Sequence, residues 1–185
     1  MRTAIAAAVL TTAALTVGLA GAASAQQYGV DDPRDTSHGS DIRSLHVRHG
    51  AENVTVTTRH TDLRRDPATG SGGATFIDTD PTDRGPEYVL VGGYFVGTDY
   101  ILLDTEGFAH KQWGNPVEHG DYNMRIDYAA DKVRIRIQRA ALGDPDAVRV
   151  AVRASGTRSD GTSRGLTDWV GERRSFTPWL EARVS

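Results

Sequence analysis

The chain has 185 residues, a formal net charge of −3 from 21 basic and 24 acidic side chains, and no cysteine. That length suits one domain with a real hydrophobic core, and the missing thiols exclude disulfides, thiolate chemistry and cysteine-ligated zinc. The near-neutral balance lacks the basic excess of a dedicated nucleic-acid binder.

Residues 1–25 read as an address. Arg2 is followed by an apolar run from Ala4 to Leu19 and by the small residues Ala23-Ser24-Ala25. This is the three-part pattern of a secretory signal peptide, and it predicts cleavage after Ala25. A transmembrane anchor fits the segment less well, because Thr11, Thr12, Thr16 and Gly18 interrupt it. The expectation is an extracellular protein with no stable membrane insertion after cleavage. Without disulfides, such a chain must be held by its core, or by its core plus a metal.

Residues 26–40, rich in Asp, Ser and Gly, are expected to be a flexible lead into one domain spanning 41–185. From Asp41 onward the hydrophobic period is two, the period of strands. Val54, Val56 and Thr58 alternate with Thr55, Thr57 and Arg59, and Val133, Ile135 and Ile137 alternate with Arg134, Arg136 and Gln138. Val148, Val150 and Val152 repeat the pattern, and further strands are predicted over 42–49, 75–79, 88–94, 100–105, 122–128 and near Trp169. Gly- and Pro-marked turns separate them, and residues 155–168 read as a long mobile loop. Eight or nine short strands, with at most one helical turn at Arg139–Leu142, predict an all-β antiparallel sandwich of jelly-roll-like layout.

Several groups of residues could carry chemistry. Gly161-Thr162-Ser163-Arg164-Gly165 has the spacing of a hydrolase nucleophile elbow, but no helix is predicted after it and the last histidine, His119, lies upstream. Asp78, Asp80 and Asp83, with Glu87, form the densest carboxylate run and could converge on calcium, although the EF-hand register fails; turn-building by Asp and Pro explains the same residues. Asp78 and Asp80 could equally serve a glycosidase as acid and nucleophile, which needs a set separation across a cleft. The histidines lack metal-ligand spacing and read as surface or strand-end groups. Arg134 and Arg136, with Arg149 and Arg153, would make a basic strip if their strands paired. Trp113 stands in the polar loop Lys111-Gln112-Trp113-Gly114-Asn115-Pro116, and its flat ring suits the C–H face of a sugar; a tryptophan plugging the end of the sandwich is the competing reading.

The segments Asp41-Ile42, Arg59-His60-Thr61-Asp62-Leu63, Phe76-Ile77-Asp78-Thr79-Asp80, Val91-Gly92-Gly93, Arg139-Ala140-Ala141-Leu142-Gly143 and Asp168-Trp169 carry a likeness. Over 31–180 the chain resembles the uncharacterised secreted β-sandwich proteins of actinobacteria. More distantly it is similar to carbohydrate-binding modules and DOMON-like sandwiches, whose members hold sugars, haem or calcium. A haem site of that kind implies axial Met and His ligands, and Met124 is the only methionine besides Met1.

Together these readings predict a secreted, non-catalytic domain that binds an extracellular polysaccharide or envelope component through Trp113, Tyr100 and Trp169. The alternative is an exported structural or protein-interaction domain, with calcium at Asp78, Asp80 and Asp83. A glycoside-type hydrolase stands third.

Overall fold

The computed structural model describes residues 26–157 and 165–182. The signal segment, residues 1–25, and nearly all of the Gly161 to Gly165 motif lie outside the described residues. Among the described residues there are twelve strands: β1 Gln26–Asp31, β2 Ile42–His49, β3 Asn53–His60, β4 Gly72–Asp78, β5 Tyr88–Gly93, β6 Tyr100–Thr105, β7 Trp113–Pro116, β8 Tyr122–Asp127, β9 Lys132–Gln138, β10 Ala147–Thr157, β11 Gly165–Trp169 and β12 Leu180–Glu181. They form a five-stranded sheet in the order β1-β2-β3-β9-β8 and a seven-stranded sheet in the order β11-β10-β4-β5-β6-β7, with β12 also on β10. Every pairing is antiparallel. Among the described residues the helical content is three short 3-10 turns, one of them the expected Arg139–Leu142. None is long and apolar enough to cross a membrane.

The strand periods seen in the sequence become the two inner faces. Leu45, Val47, Val54, Val56, Val133, Ile135 and Ile137 from the smaller sheet meet Ile77, Leu90, Leu102, Val148, Val150 and Val152 from the larger one in a single buried cluster. Their outward neighbours on β9, Arg134 and Arg136, stay wet, which is the pattern of a sheet with one solvated face. Strand β4 departs from it, being buried from Ala74 to Asp78 on both faces. Its inner residues join the sandwich core, whereas Ala74 and Phe76 join a second cluster on the outer face with Val89 and Ala151.

Two expectations change. Residues 26–31 are not a lead but the edge strand β1, paired with β2 from Gln26↔His49 to Asp31↔Ser44; Tyr28 and Val30 supply the alternation that docks it on the core. Much of the expected 155–168 loop is strand, because β10 and β11 pair from Arg153↔Trp169 to Thr157↔Gly165; residues 158–164 lie outside the described residues. Two of the histidines read as surface or strand-end groups do close strands, His49 ending β2 and His60 ending β3, and both are interior. His49 is fully buried beside the Leu180 carbonyl. His60 hydrogen-bonds the Ser40 carbonyl through Nδ1 and Thr58 Oγ1 through Nε2.

Candidate functional site

The outer face of the larger sheet carries an open cleft of about 550 Å³ lined by Phe108, His110, Arg153, Trp169, Arg173 and Arg174, with Ala109 and Thr167. Strand alternation builds it. On β4, Phe76 points away from the sandwich core and is fully buried as the floor. Register pairs Arg153 of β10 with Trp169 of β11, so both project on that same side, and Trp113 joins from β7 through its pairing with Thr105. Trp169 stacks on Phe76 at 5.8 Å and 14°, Trp113 meets it edge-on at 6.2 Å, and Phe108 lies 4.8 Å from it.

Arg153 stands over these rings, its guanidinium carbon 5.8 Å from the Phe76 centroid and 5.9 Å from those of Trp113 and Trp169. Attraction between the cation and the ring faces holds it there. Burial pulls its proton affinity below the usual arginine range, yet a guanidinium stays charged in a protein. Among the described residues no carboxylate pairs with it. Its Nε is buried without a hydrogen-bond partner, as is the Trp113 indole Nε1. At the rim, Arg174 lies over Phe108 at 5.7 Å and holds φ at 65°, a left-handed backbone that strains a side-chain-bearing residue. Among the described residues, no acidic one lines the cleft.

A second arginine on the same face provides the contrast. Arg149 donates from Nε to Asp78 Oδ2 at 2.7 Å and from Nη2 to the same oxygen at 2.6 Å, and it is flanked by Phe176 and Trp179 at 4.6 and 4.7 Å. Burial pushes the Asp78 carboxyl above its ordinary range while the Arg149 hydrogen bond pulls it back. That cation is therefore internally neutralised; the Arg153 cation is not.

The residues singled out from the sequence fall in different places. Trp113 and Trp169 come together around Phe76, as half-buried members of the outer-face cluster. Tyr100 does not join them: it sits on the inner side of the same sheet, packed on the sandwich core and edge-on to Tyr122 at 6.3 Å. The structure does not gather Asp78, Asp80 and Asp83. Asp78 is consumed by Arg149, exposed Asp80 caps its own turn by accepting from the Thr82 N–H and Oγ1, and exposed Asp83 accepts from the Arg84 N–H. The proposed four-arginine strip does not form either, because β9 belongs to the smaller sheet and β10 to the larger. Sequence reasoning missed Arg173 and Arg174, which reach the cleft from a loop. The signal available was the cation-rich Glu172-Arg173-Arg174 turn just after Trp169.

The sequence matches no protein-family model, and no curated protein matches it, so the chemistry of the cleft itself must carry the functional argument.

Proposed function

We propose that the protein is an exported, non-catalytic binding domain for an extracellular glycan or another envelope polymer, and that the outer-face cleft takes an anionic stretch of it. The observation that carries this reading is Arg153: a half-buried cation held by three rings, with an unused donor and no acidic partner among the described residues. A carboxylate- or phosphate-bearing ligand supplies the missing charge, while Trp169 and Phe108 offer apolar faces to the ring or backbone that bears it. Arg173, Arg174 and His110 extend the same preference along the rim.

The test is retention of the purified protein on insoluble acidic and neutral polysaccharides and on cell-wall preparations, with Trp169→Ala and Arg153→Gln alongside the wild type. We expect retention on an acidic polymer that weakens with salt and falls by roughly tenfold or more in both variants. Equal retention on neutral polymers, or binding unaffected by both substitutions in folded protein, overturns the reading.

The second reading, an exported structural or protein-interaction domain, is favoured by the way the rings pack on one another rather than standing free. Under that reading Trp113→Ala lowers stability and no polymer is retained. The hydrolase reading loses its leading pair, since Asp78 is fully buried in an ion pair while Asp80 faces solvent.

A further inference from the structure

We propose that Asp32, Asp35 and Asp168 hold one calcium ion, which ties the edge of the smaller sheet to the edge of the larger one. Each offers a carboxylate oxygen, and the three oxygens lie within 4.8 Å of one another. Asp32 and Asp35 follow edge strand β1, and Asp168 belongs to edge strand β11, so the group spans the two layers. The independent observation is that two of these carboxylates are buried and each keeps one oxygen with nothing to bind. Asp32 is 6% and Asp168 4% exposed. Asp32 Oδ1 accepts the Gly171 N–H at 2.8 Å and Asp168 Oδ2 accepts the Ile42 N–H at 2.6 Å, whereas Asp32 Oδ2 and Asp168 Oδ1 have no partner.

The surroundings orient these groups without neutralising them. A register shift in β2 between Ile42 and Ser44 accompanies the Ile42 hydrogen bond to the opposite sheet. Asp41 is occupied elsewhere: its Oδ1 accepts from the Asp35 and Thr36 N–H groups, which fixes the loop carrying Asp35, and its Oδ2 accepts from Thr61 Oγ1. The nearby cation, Arg43, leans on Asp41 at 3.6 Å. Burial, then the charges of Asp35, Asp32 and Asp41, push the Asp168 carboxyl well above its usual range; burial also raises Asp32. Like charges buried together need a counter-ion or a shared proton. Oxygen-only ligands drawn from a loop and a strand edge suit calcium, which takes about six to eight oxygens in flexible geometry, better than magnesium, which demands a near-ideal octahedron and keeps its waters.

The experiment is calorimetric titration of calcium chloride into EDTA-stripped protein near neutral pH, paired with thermal melting. One calcium per chain is expected, with a rise in Tm of roughly 5–10 °C at a hundredfold excess over Kd. Asp168→Asn should abolish binding. Asp35 is solvent-exposed, so Asp35→Asn should fold and weaken binding by roughly tenfold or more, which decides the matter if the Asp168 variant does not fold. Asp80→Asn should change nothing. The assignment is overturned if folded wild type takes up no calcium, if Asp35→Asn binds as wild type does, if Asp80→Asn abolishes binding, or if magnesium saturates the protein at equal or lower concentration.

Discussion

The two faces of the seven-stranded sheet solve the same burial problem in opposite ways. Toward the sandwich interior the side chains are mainly aliphatic, and His60, on the facing sheet, has both ring nitrogens engaged. Toward solvent the cluster is aromatic, and it keeps a cation whose Nε has no partner. Where the interior satisfies a polar group, as it does both ring nitrogens of His60, that group asks for nothing further. A layer that leaves a desolvated guanidinium unpaired stores a preference for an anion.

The sharpest way to break this contrast is a pair of core truncations on adjacent residues of β4. Phe76→Ala and Ile77→Ala each remove a fully buried side chain, and urea unfolding should show losses of about 3–5 and 2–5 kcal/mol respectively. Polymer retention, measured where both variants are folded, should fail only for Phe76→Ala, which removes the floor under Arg153. Equal loss of retention in Ile77→Ala would refute the division between the faces.

A somewhat smaller effect tests the interior side. Burial lowers the His60 pKa to about 4 from an ordinary 6.5. The unfolded chain therefore takes up the proton first as pH falls, so the His60 contribution is constant above 6.5, declines through the interval and levels off below 4. At about 1.4 kcal/mol per pH unit this amounts to roughly 3 kcal/mol. Subtracting the stability profile of His60→Gln from that of wild type isolates it; a flat difference would mean that the imidazole is not held neutral.

The smallest effect refines the outer side. Arg174→Gly relieves a left-handed backbone but also loosens the unfolded chain, so stability should stay within about 0.5 kcal/mol. Retention on an acidic polymer should nevertheless drop several-fold, because a rim cation is gone. A change in stability as large as that of Phe76→Ala would mark Arg174 as structural.

Much of the fold was legible because alternation along β3, β9 and β10 is local and strong. Edge strand β1 escaped because only Tyr28 and Val30 carry its pattern amid Gln26, Gln27 and Gly29. The cleft was half legible: Trp113 and Trp169 stand out in the sequence, but what makes them a site is register, which brings Arg153 opposite Trp169 and Phe76 beneath both. Carboxylate spacing misled for a similar reason. Asp78, Asp80 and Asp83 are close along the chain and are separated by strand alternation and by Arg149, whereas Asp32 and Asp168, far apart in sequence, meet at the sheet edges.

Pairing between β10 and β11 sets Trp169 against Arg153 and Asp168 against Ala154, one step apart and on opposite sides. Inserting or deleting a single residue in β11 would exchange the two sides, sending the indole inward and the carboxylate out. The aromatic cleft and the carboxylate group therefore share one reading frame: a one-residue change of length between Gly165 and Trp169 disturbs both at once, whereas a substitution can touch either alone.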